Sequence, residues 1–182
     1  MKLFPTSGPA NTEAVVELAV GAARERGIRH LVVASATGAT ARRFLPYARE
    51  FNLVVVTHAF GFAGPGENEM PAAVREELLR AGCRVVTATH VLSGAERGMS
   101  KRFGGVYPVE IIAHTLRMFG QGVKVGVEIA VMALDAGAIP YGEDVVAVGG
   151  TNEGADTAIV IRPAHAQAIF ETHISEIICQ PR

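Results

Sequence analysis

Three groups of residues in this chain have the chemistry to hold a ligand or move a proton. The first is SATGAT, residues 35–40, where an apolar β-branched run gives way to a segment of helical character. Ser35, Thr37 and Thr40 supply hydroxyls and Gly38 frees the backbone to turn. The first amides of a helix have no acceptor within it, and the aligned peptide dipoles place partial positive charge there. Ser35, Ala36, Thr37, Gly38, Ala39 and Thr40 therefore read as a nest for a phosphate, with the hydroxyls pointing into one small volume and no lysine required. The same residues also suit an ordinary well-capped turn. Neither GxxxxGK[ST] nor GxGxxG follows a predicted strand, which disfavours an ATPase or a dinucleotide dehydrogenase.

The second group is His58 and His90, each closing an apolar run (LVVVTH and CRVVTATH). Both are expected at the sheet edge that carries the phosphate loop, as ligand contacts, as acid and base, or simply as hydrogen-bonded strand-end histidines. Glu110 and His114, four apart on a predicted helix, could join them around a metal, but no HExxH-like or carboxylate-rich spacing supports one, and no metal is expected. The third group lies in two loops. Thr57, Phe60, Gly61 and Phe62 lead into a Gly- and Pro-rich stretch, and Lys101, Arg102 and Phe103 lie in a long connection. An aromatic phosphorylated ligand such as flavin mononucleotide would place its phosphate on the nest and its ring against these side chains. Arg42 and Arg43 are either phosphate contacts or surface charges. No GxSxG elbow is present, so a nucleophile-based hydrolase has no support.

Positioning these residues requires a parallel sheet. Residues 12–26 repeat apolar Val15, Leu18, Ala19 and Ala22 at helical spacing and stop at Gly27. Runs 30–35, 53–58 and 83–90 are short and β-branched, as strands covered on both faces are, and helices are expected between them at about 40–50 and 70–81. Helices at 108–120 and 123–136 follow, then strands 144–150 and 157–164 joined by TNEGAD, a link short enough to make the last of them antiparallel. In that link Asn152, Glu153 and Asp156 are turn formers or ligand contacts. The tail THISEIICQPR alternates weakly and is expected as an edge strand. Residues 91–108 exceed the roughly 12–15 residues of an ordinary structureless loop, and are expected to be a lid or an oligomer contact.

The bulk composition sets outer bounds. The chain has 182 residues, 49% of them hydrophobic, which suits one domain over 1–182. Its 17 basic and 18 acidic residues leave a formal charge of −1, so nucleic acid and anionic membrane are not expected as partners. Cys83 and Cys179 lack metal or redox spacing and are expected as buried, reduced thiols. No signal peptide or membrane span is apparent, and a soluble, cytoplasmic protein is expected. The apolar helices and the long connection exceed the needs of one small domain, which points to a homo-oligomer.

The run LVVASATGATARRFLPYAREFNLVVVTH resembles the effector-binding core of the pyruvate kinase C-terminal domain: a strand, a loop of the form S-x-[ST]-G-x-[ST]-A, a helix, and a strand ending in Thr. DVVAVGGTNEGADTAIVIRPA resembles that domain's closing strand, glycine-containing loop and antiparallel strand. At full length the chain resembles the small stand-alone proteins built on this domain. The resemblance implies a three-layer α/β/α fold with a mostly parallel mixed sheet whose last core strand is antiparallel. In pyruvate kinase the loop matching Ser35–Thr40 receives a phosphate of a sugar bisphosphate, and the loop matching Gly150, Thr151, Asn152 and Gly154 closes over it. The catalytic barrel of that enzyme has no place in this chain, so its phosphoryl transfer is not implied. Three functions remain open: binding of a phosphorylated small molecule, flavin mononucleotide first and a sugar phosphate behind it; an enzyme acting on such a ligand through His58 or His90; or a regulatory or assembly module without chemistry.

Overall fold

The computed structural model describes residues 1–182. In chain order the elements are β1 (Lys2–Phe4), α1 (Thr12–Arg26), β2 (His30–Ala34), α2 (Ala39–Phe44), β3 (Asn52–Val56), α3 (Ala72–Arg80), β4 (Arg84–Val86), α4 (Ala95–Phe103), α5 (Pro108–Arg117), α6 (Gln121–Asp135), β5 (Val145–Gly149), β6 (Thr157–Arg162) and β7 (His173–Pro181). The strands form one sheet in the order β1-β7-β6-β5-β2-β3-β4. β2 pairs in parallel with β3 and β5, and β3 with β4; β6 runs antiparallel to both β5 and β7.

The continuous apolar character of β2, β3 and β5 follows from burial on both faces. Successive side chains alternate between two cores. Leu31, Val33, Leu53, Val55, Val146 and Val148 join α1, α2 and α3 on one side. Val32, Val54, Val56, Val145 and Ala147 meet α6 on the other. α6 is buried along nearly its whole length because α5 covers its outer side. The result is three layers, α/β/α. α1 ends at Gly27, whose φ of 65° is the left-handed stop the sequence signals. No helix is long and apolar enough to cross a membrane.

Four expectations are corrected. Residues 91–108 are not a loop: 95–103 form α4, whose Ala95, Met99 and Phe103 recur at helical spacing while Gly94 and Gly104 bound the helix and obscure it. The tail is not an edge strand. β7 lies between β6 and β1, because Lys2–Phe4 pairs in parallel with Cys179–Pro181 and becomes the edge itself. That strand is too short to show a period. α2 stops at Phe44, where Pro46 begins a 3-10 turn over Leu45–Tyr47. β4 pairs only over 84–86, having β3 alone as neighbour, so His90 lies beyond the strand. Cys83 and Cys179 are free and buried, and burial pushes the Cys179 thiol up to about 11.

Candidate functional site

The chain passes from β2 to β3 on one side, while β5 lies against β2 on the other, with Val33 opposite Val148. At such a switch point the loops after the two strands diverge and leave a crevice at their carboxyl ends. Here those loops are 35–40 and 150–154. The Ser35 amide donates to Val56 O at 3.0 Å, but the amides of residues 36–40 donate to no acceptor in the protein. The next amide, of Ala41, donates to Ser35 Oγ at 3.2 Å. Across the crevice the amides of Gly150, Asn152, Glu153 and Gly154 are likewise without acceptors, while Thr151 N–H is held by Asp156 Oδ2 at 3.1 Å.

The side chains around these amides differ from expectation. Of the three hydroxyls, Ser35 Oγ accepts from the Ala41 amide, while Thr40 is a buried residue and Thr37 an exposed one. Gly38 has φ 92°, and a Cβ there would collide with Val74 Cγ1 of α3. Glycine at this position is thus demanded by the turn and by helix packing. Arg42 pairs with Glu77 at 2.5 Å and Arg43 with Glu13 at 3.1 Å, so both serve as surface ion pairs. Asp156, fully buried, accepts from Gly8 N–H at 3.1 Å and from the Thr157 hydroxyl at 2.8 Å as well as from Thr151. It ties the N-terminal segment to the 150–154 loop.

His58 and His90 do meet, 5.4 Å between ring centroids and edge to face. Phe62 packs on both, at 4.1 and 5.2 Å. His58 Nδ1 lies 2.7 Å from Glu69 Oε2, and Ala59 N–H donates to His90 Nε2 at 3.1 Å. Burial holds the His90 imidazole below its ordinary range, with the neighbouring His58 and Lys124 acting in the same direction against Glu128. Thr57 is committed within the fold, its hydroxyl bonded to His58 O at 2.8 Å and to the Thr87 hydroxyl at 2.7 Å. Phe60 and Gly61 begin the 59–71 loop, with the Gly61 amide donating to Glu67 O at 2.8 Å.

Lys101, Arg102 and Phe103 lie at the exposed end of α4 in the outer layer, bonded to none of these loops. Glu110 is occupied as a cap of α5, accepting from Tyr107 N–H at 3.1 Å and from the Ser100 hydroxyl at 2.7 Å, and His114 is exposed. An ion pair missed in the sequence lies behind His90: Lys124 and Glu128 of α6 are both buried and bonded to one another. Glu128 Oε1 also accepts from Leu92 N–H at 3.0 Å, fixing the segment that carries His90. The signal available was two opposite charges four apart in an otherwise apolar helix. An open concavity of about 640 Å³ is lined by His90, Val91, Ala95, Glu96, Val109 and Met132 among others. It runs between the segment that follows β4, the start of α4, α5 and the end of α6, and the free amides lie outside it.

A doubly wound α/β domain with its open amides at the switch point is what the fold and site define. A family model described as the pyruvate kinase alpha/beta domain matches residues 13–161, and the chain belongs to that family. Among solved structures it is similar to pyruvate kinase of Cryptosporidium parvum, at 17% identity and a TM-score of 0.40, over 79% of this chain and 22% of that one. The chain thus spans under a quarter of that enzyme's length.

Proposed function

We propose that this protein binds a phosphorylated small molecule at the switch point between β2 and β5. The observation that carries this reading is the run of five successive amides, 36–40, without a protein acceptor at the end of β2, with four more in the loop after the neighbouring β5. Backbone N–H groups in such a concave arrangement bind oxyanions without a cationic side chain. Flavin mononucleotide is the preferred specific ligand and a sugar phosphate the second. In the flavin case the ring would rest on Phe60 and Phe62, which are 63% and 47% exposed in the loop after the neighbouring strand. We also propose self-association through α4 and α5, which carry exposed Met99, Phe103, Ile111 and Met118.

Titration of the ¹⁵N-labelled protein with inorganic phosphate tests the site directly. The largest amide shifts are expected at 36–40 and 150–154. Shifts absent there, or spread evenly over the surface, would remove the phosphate reading and leave an assembly module. Flavin mononucleotide is expected to bind and riboflavin to bind far more weakly; equal binding of the two would remove the phosphate as the anchoring group.

A further inference from the structure

β2, β3 and β4 are consecutive neighbours in the sheet, with Ala34 opposite Val56 and Val56 opposite Val86. The residues following β3 and β4 therefore come together one and two strands from the free amides. His58 and His90 occupy that place with opposite hydrogen-bonding states. A carboxylate only accepts, so the Glu69 oxygen 2.7 Å from His58 Nδ1 fixes the hydrogen on Nδ1. The neutral His58 ring then has its lone pair on Nε2, in a side chain 41% exposed. His90 is the reverse. Its Nε2 accepts the Ala59 amide, so the neutral ring carries its hydrogen on Nδ1, which has no partner in the protein. A proton acceptor and a neutral N–H donor thus stand side by side, the first held by a carboxylate and both braced by Phe62. Environments that push two titratable groups into different protonation roles mark acid–base sites.

We propose that His58 and His90 form a proton-transfer site for a phosphorylated α-hydroxycarbonyl compound, which rests on the phosphate reading above. His58 Nε2 takes the proton from the carbon that bears the hydroxyl. The C–H electron pair becomes a C=C bond, and the carbonyl π pair moves to its oxygen, which His90 Nδ1–H holds and which receives the proton that the neighbouring hydroxyl gives up. The proton on His58 then returns to the former carbonyl carbon while the first hydroxyl gives up its own, so that a ketone and an aldehyde interconvert. Atoms and electrons balance with no oxidant, reductant or second substrate. Glu69 is a positioning residue that fixes the His58 tautomer.

The test is deuterium wash-in, read by proton NMR, when the full-length protein is incubated in D₂O with dihydroxyacetone phosphate, ribulose 5-phosphate or fructose 6-phosphate. Exchange next to the carbonyl is expected with at least one of them and at least tenfold less with its unphosphorylated counterpart. His58→Gln is expected to lower the rate at least 100-fold with inorganic phosphate binding unchanged. Glu69→Gln keeps the shape of the side chain but not the acceptor-only carboxylate that fixes the His58 tautomer, so the maximal exchange rate is expected to fall about tenfold with KM unchanged, a split that a purely structural role would not produce. Phosphate binding without exchange in any of the three compounds overturns this proposal and leaves the phosphate reading standing. Exchange that is indifferent to the phosphate group, or that survives His58→Gln, overturns it as well. Failure to bind inorganic phosphate at 36–40 removes the reading on which it rests.

Discussion

Gly38 shows how one residue serves two needs that the sequence does not separate. Its φ of 92° turns the chain out of β2, and its bare Cα admits Val74 of α3. Left-handed backbone costs a side-chain-bearing residue about 1–3 kcal/mol, and displacing a packed neighbour costs a similar amount. Gly38→Ala is therefore expected to destabilise by about 2 kcal/mol or more in urea unfolding, whether or not a ligand is present. His90 allows a second prediction at this scale. Its folded-state pKa is held below the ordinary 6.5 by burial, so between those two values the unfolded chain binds more protons than the native one. Stability then falls as the pH drops from 6.5 through the native value, and His90→Gln is expected to flatten that part of the stability–pH curve. Of the residues singled out in the sequence, the backbone of 36–40 follows β2 as the strand pattern places it, and His58 and His90 meet although β3 ends at Val56 and β4 at Val86, because the register of neighbouring strands brings the segments that follow them together. The partners Ser35–Ala41 and His58–Glu69 were not legible, since they depend on how the turn and the 59–71 loop fold back.

At the scale of elements, α6 is the part whose chemistry is least apparent from its sequence. It lies between the sheet and α5, and it carries a buried lysine and glutamate into that apolar layer. Burial holds the Lys124 ammonium below its ordinary 10.5 despite Glu128, so the unfolded chain binds more protons in the window just under that value. The Lys124-dependent part of the stability is expected to rise with pH there, and to vanish in Lys124→Met. Removing one partner of a buried pair strands the other, at a cost of about 3–5 kcal/mol. Lys124→Met is expected to show a loss of that order near neutral pH. Lys124→Met with Glu128→Gln is expected to recover much of it, since glutamine still accepts the Leu92 amide that Glu128 Oε1 accepts at 3.0 Å; chemical denaturation of the two variants measures the difference. The core strands β2, β3, β5 and β6 were legible because both-sided burial writes a continuous apolar run. α4, β1 and the position of β7 were not: α4 is bounded by glycines and buries no residue, β1 has three residues, and the place of β7 depends on a partner at the other end of the chain.

The whole molecule leaves one surface that its own packing does not explain. α4 buries no side chain and α5 buries only Ala113. Met118, Phe103, Val106, Phe119, Ile111 and Met99 are 83, 77, 70, 59, 57 and 43% exposed. With about 150–250 Å² for a large side chain, this amounts to apolar area on the order of 700 Å², above the ~300–600 Å² of the largest patch on a typical monomer. It is close to the ~800 Å² that each partner contributes to a standard interface. Met99 and Phe103 are one turn apart on α4, and Met118, the residue that caps α5, lies two turns beyond Ile111, so each helix presents a stripe that a second copy can match about a two-fold axis. Arg97 and Lys101 each lie two residues from that stripe, on the far side of α4 at about 100° per residue, while Arg102, three residues from Met99, flanks it. A dimer is therefore expected by light scattering at micromolar concentration. Phe103→Glu with Met118→Glu is expected to give a monomer with unchanged helical content by circular dichroism, since neither side chain belongs to the core. A monomer in the unmodified protein, or a dimer that persists in the double variant, would place self-association elsewhere or nowhere, and would leave the exposed hairpin of α4 and α5 as a surface for a different partner.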